Sequence, residues 1–284
     1  MAMKELKIEQ PLVSVSWLSE HLNHPDLIIL DATIKKAANN SNEKYPKLRI
    51  KNARFFDIKK AFSDTSTDIP NMLSSPKVFS EACKKLGISN HHKIVVYDKI
   101  GIYSSARVWW MFKIMGHQNI AVLDGGLPAW QQQNLAIEPE TNDNTYNLGD
   151  FRASFNSKLV VDAKKVLNEI NNESTLILDA RSPGRFTAQE PEPRASLKGG
   201  HIPNSMNLHY KDILRDRHML PVDELKEILD DFNIENKKLI FTCGSGITAC
   251  IIMLAAKLAQ YHNVSVYDGS WSEWGQLNDV PIEC

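Results

Sequence analysis

The sequence predicts an α/β protein of two tandem units, each a mostly parallel sheet flanked by helices. Three observations carry this. Short aliphatic runs of strand length alternate with segments whose apolar residues recur at helical spacing, the order of these segments is repeated once, and Asp-Gly-x-x-x-x-Trp closes each copy.

In the first copy, Val15 to Leu22 reads as a helix and Leu27-Ile28-Ile29-Leu30-Asp31-Ala32 as a buried strand ending in an acid. Ser75-Pro76 to Leu86 has a cap, a first-turn proline and Gly87 as its stop. The strand Lys93 to Asp98 follows, then Gly101 and a long helix, then Val122-Leu123-Asp124-Gly125 leading to Trp130. The second copy answers with Val160 to Ile170, Thr175 to Ala180, Val222 to Phe232, Lys238 to Cys243, Gly246 with a helix over Ile247 to Gln260, and Val266-Tyr267-Asp268-Gly269 leading to Trp274. Offsets between partners run only from 144 (Asp124 to Asp268) to 148 (Asp31 to Asp179), so small insertions relate the copies. A polar, strand-poor joint at about 138–156 divides the chain into domains 9–140 and 157–284.

Composition excludes several classes of function. With 284 residues, 43% hydrophobic and 24% charged, the chain can bury a large core. A net charge of -1 offers no general attraction to nucleic acid or to an anionic membrane, so an anion site must be a local arrangement of arginines. The first ten residues hold no apolar core of signal-peptide length and no later run has the length of a membrane span, which together imply a cytoplasmic protein. Cys83, Cys243, Cys250 and Cys284 have neither CxxC spacing nor the density of a disulfide framework. Cys250 is expected at the helix packing interface and Cys284 as a loose terminal thiol. His21, His24, His91 and His92 lack partners at metal-site spacing, so neither a metal nor an organic cofactor is expected.

The chemistry concentrates at Cys243, which ends a strand and opens the loop Gly244-Ser245-Gly246-Ile247-Thr248 before a helix. Glycines allow positive φ, so successive N–H groups can converge on one point, and the helix start adds partial positive charge. A thiol held there is expected to have a lowered pKa and to act as a nucleophile. The first copy has Asp98 in this place, followed by Lys99 and Ile100, and so has no nucleophile.

Cys243-Gly-Ser-Gly-Ile-Thr, the paired Asp124–Trp130 and Asp268–Trp274 motifs, and Gly200-His-Ile-Pro-Asn-Ser205 together resemble the two-domain rhodanese-like sulfurtransferases, from about Val13 to Gln276. The loop is most similar to that of the members that use 3-mercaptopyruvate. The resemblance implies tandem rhodanese domains with the active cysteine only in the second. Thiosulfate-using members carry an arginine and a lysine after the cysteine, where this chain has the uncharged Gly244 and Ser245. The two arginines that bind the mercaptopyruvate carboxylate and carbonyl correspond to Arg185 and Arg194, and the loop residues Gly244, Gly246, Ile247 and Thr248 correspond to the rest of the substrate site. A guanidinium suits that role because its fixed fork can meet both carboxylate oxygens. A sulfur acceptor, such as a small thiol, a thioredoxin-like protein or cyanide, is implied as the second substrate.

Asp179 and Arg181 are expected as a structural ion pair, His201 as a packed turn residue, and Asn204 as a turn residue that tolerates positive φ. Some members are proposed to use a serine, histidine and aspartate relay. Ser245 matches its serine, but Lys59 and Asn71 fall where its acid and histidine would stand, so Ser245 is carried over only as a hydrogen-bond donor. Three other readings remain. A cysteine phosphatase needs a longer loop closed by an arginine, where this chain has Ala249 and Cys250. A thiosulfate sulfurtransferase differs only in its donor. A non-catalytic persulfide carrier would load Cys243 from a partner.

Overall fold

The strands form where aliphatic and β-branched residues run together, and the helices where a cap precedes an apolar stripe. The structure, a computed structural model, describes residues 6–34, 47–140 and 145–284. The ten-residue N-terminal stretch read for a signal segment begins in residues 1–5, outside that set, and the expected joint includes 141–144, also outside it.

Along the chain the elements are β1 (Leu12–Val13), α1 (Val15–His21), β2 (Leu27–Asp31), β3 (Leu48–Ile50), β4 (Arg54–Phe55), α2 (Pro76–Lys85), β5 (Lys93–Tyr97), α3 (Ser104–Ile114), β6 (Ile120–Leu123), α4 (Gly126–Gln132) and β7 (Ile137–Pro139). A 3-10 turn (Ser157–Leu159) leads to β8 (Val160–Val161), α5 (Ala163–Glu169), β9 (Thr175–Asp179), α6 (Pro183–Phe186), β10 (Ser205–Asn207), β11 (Leu214–Arg215), β12 (His218–Met219), α7 (Val222–Asp230), β13 (Lys238–Thr242), α8 (Ala249–Leu258), β14 (Val264–Tyr267) and α9 (Ser270–Trp274).

Contacts divide the chain into two units. The first holds the chain up to Phe62, Ser74–Phe155 and Asp216–His218; the second holds Ser63–Leu73, Asn156–Arg215 and Met219–Cys284. Two short segments thus group with the half other than that of their chain neighbours, which a division into 9–140 and 157–284 does not capture.

In the first unit the strand order is β1-β6-β5-β2-β4, parallel throughout. The second repeats it as β8-β14-β13-β9-β10, again parallel. Central strands of such sheets are covered on both faces, and β2, β5, β9 and β13 are accordingly buried at every residue but the first. Ser14 and Ser75 cap α1 and α2, accepting the N–H groups of Trp17 and Val78, and Gly87 ends α2 at φ 68. Asp162 caps α5 in the same way, so Val160 to Ile170 is a strand and a shorter helix rather than one helix. Helix α8 starts at Ala249, two residues later than its periodicity implied.

Both Asp-Gly-x-x-x-x-Trp motifs end in a fully buried indole. Trp130 and Trp274 are each 0% exposed, and their N–H groups donate to the Ala136 and Pro281 carbonyls at 3.0 Å. Their common task is to anchor the turn after the sheet's β6 or β14 strand into the core.

Candidate active site

Strand β13 ends at Thr242, and Cys243 through Thr248 form the loop into α8. Gly246 takes φ 74, a value that glycine adopts without strain. Helix α9 holds the loop from behind. Ser270 Oγ accepts the Cys243 N–H at 3.3 Å and stands 4.0 Å from Cys243 Sγ, the Trp271 N–H donates to the Cys243 carbonyl, and Ser272 donates to the Gly244 carbonyl through both N–H and hydroxyl. Ser270 does this at φ 49, where the duplicate position, Gly126, has φ 56. A β-carbon is thus kept in a strained conformation beside the cysteine.

The duplicate loop shows what this geometry can hold. In the first unit the Asp98 carboxylate accepts the N–H groups of Ile100, Gly101, Tyr103 and Ser105 and the Ser105 hydroxyl, at 2.7–3.1 Å. The loop between strand and helix therefore collects amides around one anion, and the first unit supplies that anion itself. In the second unit Cys243 stands at the strand end instead. Among the described residues, the N–H groups of Gly244, Ser245, Ile247 and Thr248 meet no protein acceptor. Cys243 is 1% exposed and Ile247 4%, while Gly244, Ser245 and Thr248 are half-buried, so the Cys243 sulfur is screened by its own loop.

Arg185, on α6, reaches this loop. Its Nη2 lies 2.9 Å from the point where a Cβ on Gly244 would stand, so a side chain there would require the guanidinium to shift. The guanidinium is not wholly free: Nε and Nη2 donate to the two oxygens of Glu192, at 3.1 and 2.6 Å. One edge of the fork is thereby occupied, leaving the Nη1 side for a ligand. Arg194 is half-buried and its guanidinium has no protein partner among the described residues, but no described contact joins it to the Cys243 loop.

Arg181 and Asp179 form the expected ion pair, with Nη2 to Oδ2 at 2.7 Å and both side chains at most 1% exposed. Burial disfavours the Arg181 charge, but Asp179 and then Glu192 more than offset it and raise its pKa. Its guanidinium also lies 4.2 Å from the centre of the Trp271 ring. His201 packs as a turn residue, stacked on Phe186 at 3.8 Å, and Asn204 takes φ 58.

Asn71 lies in the segment Ser63–Leu73, within the same unit as Cys243. Its Nδ2 donates to the carbonyl and the hydroxyl of Ser245, both at 3.2 Å, while Lys59 is exposed. The residues that the sequence did not single out are Ser270, Ser272 and Glu192. The first two lay inside the repeated motif and read only as part of it, and Glu192 lay in a charged, proline-rich run. None of the four cysteines, all among the described residues, is in a disulfide; Cys83 and Cys250 are buried, and the Cys250 thiol donates to the Gly246 carbonyl. Cys284 is exposed, but the chain end is not loose, since Glu283 pairs with His201 through two backbone bonds. Among the described residues no cluster could hold a metal ion, and no helix is long and apolar enough to cross a membrane.

Each half is a rhodanese-like domain: residues 14–133 and 162–277 both match it, and the chain belongs to the rhodanese-like family. It is 36% identical over 275 residues to the 3-mercaptopyruvate sulfurtransferase of Escherichia coli strain K12, covering 95% of this chain and 97% of the relative. It is 35% identical over 273 residues to a thiosulfate sulfurtransferase of Mus musculus, covering 93% and 91%. The crystal structure of SseA from Escherichia coli, a 3-mercaptopyruvate sulfotransferase, has a TM-score of 0.81 to this chain at 34% identity, covering 93% of this chain and 100% of SseA.

Proposed function

We propose that the chain is a 3-mercaptopyruvate sulfurtransferase that works through a persulfide on Cys243. Relatives of nearly equal identity use different donors by name, so overall similarity does not select the donor, and local chemistry must. The observation that carries the choice is Arg185 lying over Gly244, next to the nucleophile. The free edge of the Arg185 fork suits a carboxylate, and the uncharged Gly244 and Ser245 add no cation within the loop itself for a dianion.

In this scheme the donor's carboxylate meets Arg185, with Arg194 as the second cation, and its sulfur approaches Cys243. The thiolate attacks that sulfur, forming the new sulfur–sulfur bond. The carbon–sulfur bond breaks with its electron pair passing to the enolate of pyruvate, steadied by the Ser245 hydroxyl. The proton from the donor's thiol ends on pyruvate, and Cys243 keeps a negatively charged outer sulfur. The amides of Gly244, Ser245, Ile247 and Thr248 would receive that charge, as the amides around Asp98 receive a carboxylate. A small thiol, a thioredoxin-like protein or cyanide then takes the outer sulfur and restores the thiolate, giving ping-pong kinetics. Such an exchange fits a reducing compartment, the cytoplasm.

The test is to incubate the protein with 3-mercaptopyruvate alone and weigh it intact. Wild type gains one sulfur and Cys243→Ser gains none. A wild type that stays unmodified refutes the scheme, and one that loads faster from thiosulfate replaces the donor.

A further inference from the structure

The side chain of Asn71 makes two bonds to one residue, and together they fix its orientation. The Ser245 carbonyl oxygen can only accept, so the atom 3.2 Å from it must be the donating Nδ2 rather than the amide oxygen. The same Nδ2 is 3.2 Å from Ser245 Oγ, so the hydroxyl accepts from Asn71 and its own proton is directed elsewhere. Among the described residues nothing takes that proton.

The segment bearing Asn71 is held at several points. A β-bridge joins Ser63 to Leu73, the Asp64 N–H donates to the Met72 carbonyl at 2.8 Å, and the Leu73 N–H donates to the Asp268 carboxylate at 2.7 Å. Asn71 itself takes φ 61, a conformation in which asparagine is enriched. Of the charged and titratable groups on these elements, Cys243 is on the loop, Arg185 lies beside Gly244, Asp64 and Asp68 are in the segment, and Asp268 accepts the Leu73 N–H. None of them is bonded to the Ser245 hydroxyl.

We propose that Asn71 is a positioning residue: it fixes the Ser245 hydroxyl as a hydrogen-bond donor to the keto oxygen of the sulfur donor, and no proton passes along the pair. The proposal rests on the reading of this loop as the mercaptopyruvate site. An amide neither takes up nor releases a proton in the working range, so Ser245 stabilises the oxygen of the departing enolate by donating and never by deprotonating. The enolate is protonated at carbon from solvent or from the donor's own thiol proton.

The experiment compares full-length wild type with Asn71→Ala, Asn71→Asp, Ser245→Ala and the Asn71→Ala, Ser245→Ala double variant. Pyruvate release from 3-mercaptopyruvate gives kcat and KM, and the rate of Cys243 alkylation by iodoacetamide reports whether the loop is intact. Alkylation is expected within about twofold of wild type in all four variants. Loss of an oriented donor is expected to lower kcat by about tenfold to a hundredfold in Ser245→Ala and in Asn71→Ala, with KM changed by less than about threefold. The double variant should be no slower than the slower single one, because Asn71 acts only through Ser245. Asn71→Asp keeps the size and shape but reverses the polarity, drawing the hydroxyl proton to its carboxylate, and should lose at least as much kcat as Asn71→Ala. A purely structural asparagine would tolerate that near-isosteric change. Turnover of Asn71→Asp within about twofold of wild type, or losses that multiply in the double variant, overturn the proposal. A wild type that releases no pyruvate instead overturns the mercaptopyruvate reading beneath it, so the two failures are distinct.

Discussion

Arg185 and Glu192 are locked edge to edge, with Nε and Nη2 of the one donating to the two carboxylate oxygens of the other at 3.1 and 2.6 Å. The Glu192 side chain is 1% exposed and also takes Arg181 Nη1 at 2.8 Å, so one buried anion orients two cations. Removing it leaves both guanidinium groups short of a partner. Glu192→Ala should lose about 3 kcal/mol of stability in urea unfolding and raise KM for mercaptopyruvate as Arg185 loses its orientation. An unchanged KM would mean that Arg185 is aligned by other means.

Donor choice should follow the residues around Gly244. Arg185→Ala is expected to cost about 2 to 5 kcal/mol in kcat/KM for mercaptopyruvate and much less for thiosulfate. Gly244→Arg with Ser245→Lys should shift preference the other way, since a Cβ at 244 would meet Arg185 Nη2 at 2.9 Å and displace it while adding cations for a dianion. Initial rates with the two donors decide the matter, and unchanged preference in both variants removes the electrostatic account.

Asp98 holds its loop closed from within. Asp98→Ala would leave the amides of Ile100, Gly101, Tyr103 and Ser105 without their acceptor, where each bond to a charged group is worth about 1.5 to 3 kcal/mol. A loss of stability without loss of Cys243 sulfur loading per folded molecule is expected. Loading that fails in the folded variant would give the first loop a part in the chemistry.

Acid should weaken the first unit through His117 and His92. Burial pushes His117 down to about 4, and burial with the neighbouring His91 does the same to His92. Unfolded, both return to the ordinary value of 6.5 and bind protons that the folded unit refuses. Their contribution is complete above about pH 6.5 and is lost as pH falls towards 4, by about 3 kcal/mol for the buried His117. His117→Gln should flatten the slope of urea stability between these pH values; an unchanged slope would place the acid sensitivity elsewhere.

Much of this architecture is legible in the chain because it is written locally. Strand-length aliphatic runs, the Ser75-Pro76 helix start and the two Asp-Gly-x-x-x-x-Trp motifs each follow from a few adjacent residues, and the repeat gave two readings of every element. Cys243 and its glycines were legible for the same reason. Asn71 and Glu192 were harder. The family resemblance placed Asn71 opposite Ser245, 174 positions on, but only the packing shows which of its atoms bonds the serine, and Glu192 sits in a run of charge and proline that resembles an exposed loop.

The sequence by itself determined two α/β copies, a cysteine at the strand end in one and an aspartate in its place in the other, because hydrophobic period, turn residues and the chemistry of single side chains act over short stretches. Only the tertiary structure decided which partners support the Cys243 loop and its arginine: the segment Ser63–Leu73 through Asn71, the strained Ser270, and the buried anion of Glu192 behind Arg185. These contacts join residues that are remote along the chain. They come about when the sheets and helices pack and bring distant polar groups within hydrogen-bond reach, in places where burial makes leaving them unpaired costly.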